Sequence, residues 1–194
     1  TGATPIRCDV SDGASVRAAF RQIPDVDILI CNAGIMHFGL LSMMEESAWD
    51  RIFDVNVKGI YHCVNAAMPG FLQKQAGSII TVSSMWGQVG SSCEAAYSAT
   101  KALQATYLQA LEQQARQRGL YDIHFTDIRP GFVDTALLSG SFRYPMMLRP
   151  ESVARDIVSS IRKRRHVRVI DTRYRVLTFF WRLVPNFIWR RLRL

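Results

Sequence analysis

The sequence predicts an α/β fold built on a doubly wound parallel sheet, and three observations carry that expectation. Short runs rich in apolar and β-branched residues alternate along the chain with longer segments of helical periodicity. The runs are apolar almost throughout, as expected of strands covered on both faces. The polar residues best suited to chemistry, Asn32, Ser84 and those after Pro130, fall just beyond the C-terminal ends of those runs, where open parallel sheets bind ligands.

Each element has its own sequence signal. Strands are predicted over 5–9, 26–31, 77–83, 122–129 and 166–170, each short and apolar or β-branched. Helices are predicted over 13–22, 47–75, 94–118 and 151–163. Ser47-Ala48-Trp49-Asp50 has the S-x-x-D spacing of a capping box at the start of the second helix. Gly119 is placed to end the third in a left-handed C-cap. Residues 1–171 are expected to form one domain, with 172–194 as a basic, aromatic extension.

Composition bounds the function classes. A chain of 194 residues with 48% hydrophobic content can bury a substantial core. Four cysteines at 8, 31, 63 and 93 form no C-x-x-C pair, so reduced thiols are expected, with neither a disulfide frame nor a metal site. The four histidines show no ligand spacing and read as structural or solvated. The net charge of +8 is concentrated at one end: residues 162–194 hold ten arginines and Lys163 against Asp171 alone. The body is near neutral and lacks a basic stripe, which argues against a nucleic-acid-binding domain. A cytoplasmic location is expected.

The chemistry is concentrated in Ser84, Tyr97 and Lys101. A tyrosine and a lysine four apart share one helix face. An ammonium beside a phenol favours the phenolate, which would let Tyr97 give a proton to a substrate oxygen or take one from it. Ser84, at the end of an apolar strand, is placed to hydrogen-bond the same oxygen. Alone, the Y-x-x-x-K spacing is common on solvated helices. Companion motifs decide the matter.

Cys8-Asp9-Val10-Ser11-Asp12, Cys31-Asn32-Ala33-Gly34, Phe53-Asp54-Val55-Asn56-Val57-Lys58-Gly59, the serine and Y-x-x-x-K pair, and Arg129-Pro130-Gly131-Phe132-Val133-Asp134-Thr135 follow one another in order. Together they resemble the short-chain dehydrogenase/reductase family over residues 8–171. The resemblance implies a Rossmann-like fold and an NAD- or NADP-dependent oxidoreductase, the choice between cofactors being open. It implies Asn56, Ser84, Tyr97 and Lys101 as a catalytic tetrad. Asp9 and Val10 would meet the adenine, and Asn32, Ala33 and Gly34 would close the cofactor-facing strand. Pro130, Gly131, Val133 and Thr135 would hold the nicotinamide amide, while Tyr97 and Lys101 would also touch the cofactor. Lys101 would lower the Tyr97 pKa, and Asn56 would kink its helix and hold a water linking Lys101 to solvent. Structural alternatives stand beside some of these: Asp9 as a turn residue, Asn56 as a helix-surface amide, Pro130-Gly131 as a tight turn.

The family's layout opens with a strand and a glycine-rich T-G-x-x-x-G-x-G loop that cradles pyrophosphate at a helix N-terminus. That segment is missing from the sequence, a gap of roughly 30–50 residues or about one βαβ unit. Thr1-Gly2-Ala3 reads either as the first letters of that loop or as the turn before a strand.

For the substrate, Ser84, Met85, Trp86 and Tyr97 are expected to form the wall of the site. The resemblance also places Met36, His37, Phe38, Val89, Leu137, Leu138, Phe142, Tyr144, Met146 and Met147 around it. That apolar, methionine-rich set suits a small lipophilic carbonyl or alcohol, the alternative being that some of the methionines simply fill gaps in the core. Residues 173–194 mix aromatics with arginines, interrupted at Arg182 and Pro185. They read either as a helix packed on protein or as a peripheral contact with an anionic membrane. The long helices imply a homodimer or homotetramer by the same resemblance. Two functions follow: an oxidoreductase with Tyr97 as acid/base, or a catalytically silent relative acting through its tail as a membrane-surface or protein-binding module.

Overall fold

The computed structural model describes residues 2–23, 25–138 and 144–191. Its centre is a four-stranded, all-parallel sheet in the order β1 (Ile28–Cys31), β2 (Gly77–Val82), β3 (Ile123–Arg129), β4 (Val167–Val169). Register runs Ile30 to Ile80, Ile80 to Thr126 and Ile128 to Arg168. Between strands lie α1 (Gly13–Phe20), α2 (Glu46–Phe53), α3 (Gly59–Lys74), α4 (Ala95–Gln117) and α5 (Pro150–Arg162), followed by α6 (Thr172–Leu183) and α7 (Asn186–Trp189).

Adjacent strand residues point to opposite faces, and both faces are covered at the centre of the sheet. Ile79 and Ile80 are each fully inaccessible. Ile79, Ile123 and Phe125 pack under α3 and α4 with Val64, Phe71 and Leu108. Ile80 and Ile128 pack on the other side with Val153 of α5 and Tyr174 of α6. This two-sided burial is why β2 and β3 read as near-continuous apolar runs. At β1 only one face is covered, and Ile28 and Ile30 remain about half exposed (50% and 48%).

Helix ends follow local chemistry. Asp12 caps α1 by accepting the Ala14 N–H at 2.8 Å, and Pro150 opens α5. Gly119 takes φ +74° after α4, and the Leu120 N–H returns to the Ala115 carbonyl at 3.0 Å, as expected of a left-handed C-cap.

Three expectations need correction. Residues 5–9 are extended but form no strand, because no other strand lies beside them among the described residues; a ladder needs a partner, and Pro5 offers no N–H. The helix expected over 47–75 is interrupted by a π-helical turn at Asp54–Lys58. Its first residue is Glu46 after Glu45, and Ser47 lies inside the helix instead of capping it.

Candidate active site

Three strand ends and one helix converge. Ser83 and Ser84 follow β2, Pro130 follows β3, and the Met85 N–H donates to the Pro130 carbonyl at 3.1 Å, tying the two loops together. Ser84 starts a single 3-10 turn, where its hydroxyl accepts the Trp86 N–H at 3.2 Å. Behind it, the Ser83 hydroxyl donates to the buried Asp127 carboxylate, which Arg129 also holds at 2.6 Å. These bonds fix where Ser84 points.

Tyr97 and Lys101 lie one turn apart on α4 and are both buried. The Lys101 ammonium is 5.4 Å from the centre of the Tyr97 ring. It donates to the Val82 carbonyl at 2.8 Å and to Gln104 Oε1 at 3.2 Å. An ammonium carries three N–H donors, so one is left to face the cavity.

Asn56 sits in the π-helical turn and is wholly buried. Its side-chain amide spans the main chain of Ile35, accepting the N–H at 2.8 Å and donating to the carbonyl at 2.9 Å, and also donates to the Thr100 hydroxyl. A π turn leaves backbone carbonyls without their usual α-helical partners. One of these, the Asn56 carbonyl, accepts Gln104 Nε2 at 2.7 Å. The Gln104 side chain thus links the Asn56 carbonyl to the Lys101 ammonium. Spacing does not single out Gln104; its role comes from burial on the α4 face shared with Lys101.

The electrostatics also differ from expectation. Burial pushes the Tyr97 phenol up to about 12, with Glu94 adding to the rise and the neighbouring Ser84 hydroxyl opposing it. Burial likewise pulls Lys101 down to about 8 against the field of Asp127. The expected lowering of the phenol by Lys101 is not what dominates, because the ammonium is turned toward Val82 and Gln104. The proton therefore rests on Tyr97 at neutral pH.

Gly131 follows the β3 end, where a Cβ would lie 2.1 Å from the Tyr174 ring. The Tyr174 hydroxyl accepts the Phe132 N–H at 3.2 Å and lies 3.0 Å from the Pro145 carbonyl. The tail helix α6 thus braces the Pro130–Thr135 loop from beneath. Glycine is required by that approach.

The described residues enclose a cavity of about 480 Å³ lined by Asn32, Gly34, Ser84, Met85, Trp86, Tyr97, Lys101, Pro130, Gly131, Val133 and Thr135. Met36, Leu137 and Leu138 also line it, as expected, together with Phe132, Val153 and Ile157, which were not foreseen. Glu94 is a further unforeseen wall residue. Asp9, Val10 and Ala33 do not reach this cavity. Asp9 is half exposed and accepts Ser11, with Arg51 at 3.7 Å; these contacts hold its carboxyl below the ordinary value. Val10 packs on Gly59 and offers its carbonyl to His62 at 3.0 Å. Phe142 lies outside the described residues, as does Thr1.

The residues present suit a nicotinamide nucleotide. A Cβ on Gly34 would sit 3.6 Å from the Lys101 ammonium, so glycine keeps the floor open beside the free N–H. The Pro130–Thr135 loop forms the facing wall.

A parallel sheet with Ser84 beyond the end of β2, and Tyr97 and Lys101 on the helix that follows, defines a Rossmann-like protein of the dehydrogenase type. A family model described as short chain dehydrogenase matches residues 1–143. The chain belongs to the short-chain dehydrogenase/reductase family. It is 34% identical over 132 residues to the 3-oxoacyl-[acyl-carrier-protein] reductase FabG of Staphylococcus aureus, covering 66% of this chain and 52% of that protein. It is 31% identical over 184 residues to the glycine betaine reductase ATRR of Emericella nidulans, covering 86% of this chain and 14% of that much longer protein. The chain thus spans about half the length of the FabG reductases it matches. In fold it is similar to a short chain dehydrogenase/reductase from Burkholderia phymatum in complex with NAD, with TM-score 0.78, 23% identity, and coverage of 92% of this chain and 75% of that one. An alcohol dehydrogenase from Thermococcus sibiricus complexed with 5-hydroxy-NADP gives TM-score 0.73 at 21% identity, covering 86% of this chain and 73% of that one.

Proposed function

We propose that the protein is an NAD(P)-dependent oxidoreductase that interconverts a carbonyl and an alcohol, with Tyr97 as the acid/base. The observation that carries this reading is the meeting of Ser84, Tyr97 and Lys101 on one cavity, with Lys101 held from behind by Val82 and Gln104. A nicotinamide cofactor, when bound, supplies or accepts the hydride at the substrate carbon. In the reducing direction the Ser84 hydroxyl donates to the carbonyl oxygen and orients it. Tyr97, protonated at neutral pH, gives its proton to that oxygen as negative charge develops. Lys101 stabilises the phenolate left behind and offers its remaining N–H to the ribose hydroxyls. Asn56, acting through Gln104, holds Lys101 in place.

The walls made by Met36, Met85, Trp86, Phe132, Leu137 and Leu138 favour a substrate with an apolar body. The test is NAD(P)H oxidation by the full-length protein against a panel of small aldehydes and ketones. A Tyr97→Phe variant is expected to lose about 10²–10⁴-fold in kcat/KM. Retention of the wild-type rate would remove the phenol from the mechanism.

A second reading is favoured by the tail. Val176, Phe179, Phe180, Leu183 and Phe187 are exposed in a segment that also carries Arg173, Arg175 and Arg182 of α6 and Arg190 and Arg191 after α7, which suits attachment to an anionic membrane surface. Among the described residues no helix is long and apolar enough to cross a membrane. Attachment and catalysis are compatible, and a silent relative would keep the first without the second.

A further inference from the structure

Among the described residues Glu94 is the one acid in the cavity wall, and its surroundings do not account for it. It is 4% exposed, although it occupies the N-cap position of α4, where an acidic side chain ordinarily bonds the first free N–H groups. It makes no such cap bond. Its Oε2 has no hydrogen-bond partner among the described residues, and none of their ion pairs includes it. The Lys101 ammonium, which lines the same cavity, is bonded to Val82 and Gln104. A buried carboxyl without donors is costly, and a single hydroxyl would repay only part of that cost.

The neighbours of Glu94 narrow the choice of ligand. Trp86 and Phe132 line the same cavity with ring centroids 6.3 Å apart, and Tyr144 lies 4.5 Å from Phe132. Glu94 lines that cavity together with Tyr97, and its charge raises the phenols of Tyr97 and Tyr144. A buried carboxylate and aromatic rings lining one cavity can together accept an ammonium ion: the acid neutralises the charge and the ring faces meet its alkyl groups.

We propose that Glu94 is the recognition residue of a cation subsite, so that the substrate joins an ammonium group to the carbonyl or alcohol that Tyr97 addresses. This rests on the oxidoreductase reading for the identity of the second group, but the subsite itself is a binding property. Burial holds the Glu94 carboxyl up at about 6, so it is largely ionised at neutral pH and becomes more so when a cation arrives.

The test is calorimetric titration of the full-length protein with choline and with its uncharged isostere, in which a tert-butyl group replaces trimethylammonium. Choline is expected to bind about tenfold more tightly or better. Glu94→Gln is expected to bring the two ligands to similar affinity, and Glu94→Asp to keep part of the preference. Equal affinity in the wild type, binding of neither ligand, or a preference that survives Glu94→Gln would each overturn the proposal. Aldehyde reduction is scored separately. If choline is preferred and no carbonyl compound is ever reduced, the subsite stands and the oxidoreductase reading falls.

Discussion

At the residue scale, Tyr97 and Lys101 titrate away from their ordinary values in opposite directions for one shared cause, the loss of water. Burial favours the neutral form of each, giving a phenol near 12 and an ammonium near 8. Carbonyl reduction uses a protonated Tyr97 and a charged Lys101, so the second requirement fails first as pH rises. kcat/KM for reduction is therefore expected to be level near neutrality and to fall about tenfold per pH unit above pH 8. A profile that stays flat well into the alkaline range would show that the Lys101 charge does not act on the phenolate. Ser84, Tyr97 and Lys101 were legible in the sequence because their chemistry depends on fixed spacing along a strand end and a helix. Gln104 and Glu94 were not. An amide and an acid on a helix are ordinary until burial removes their water, and burial arises from tertiary packing.

At the element scale, the most demanding contact is between the loop after β3 and helix α6. A methyl group on Gly131 would overlap the Tyr174 ring at 2.1–2.4 Å, and that ring is fully inaccessible in the core. Gly131→Ala is expected to cost on the order of 3 kcal/mol, read as a lower urea midpoint with an unchanged slope. Gly131→Ala in a Tyr174→Phe background keeps the ring and should stay destabilised. In a Tyr174→Ala background the added methyl should become nearly neutral. A full cost in both backgrounds would place the strain elsewhere. The helices and central strands were readable from periodicity and apolar runs, as at 94–118 and 77–83. The π turn at Asp54–Lys58 was anticipated only as a kink, since an extra residue per turn leaves no periodic trace in a few residues. The segment 5–9 shows the opposite failure: its composition suits a strand, but a strand is defined by what lies beside it.

At the scale of the whole molecule, positive charge gathers at the C-terminal end of the sequence, where several apolar side chains are also exposed. Residues 162–194 hold ten of the chain's arginines, and the outward face of α6 carries Phe179, Phe180 and Leu183. Sequence composition pointed to two uses for this tail, and its residues divide into a buried and an exposed set. Tyr174 and Thr178 face the core, whereas Val176, Phe179 and Phe180 face outward. If the outward face meets membranes, the protein should co-sediment with phosphatidylserine vesicles, be released by high salt, and lose binding when Phe179 and Phe180 become serine. Sedimentation indifferent to lipid charge would assign that face to another role.

The stack of Trp86 on Trp181, at 5.3 Å and 18° between planes, joins the cavity wall to the tail. Two indoles so close share their electronic excitation, and the resulting circular dichroism in the near ultraviolet depends on their mutual orientation. Trp86 cannot keep that orientation if α6 lifts away. The same optical signal therefore reports both a ligand pressing on the pocket and a surface drawing on the tail.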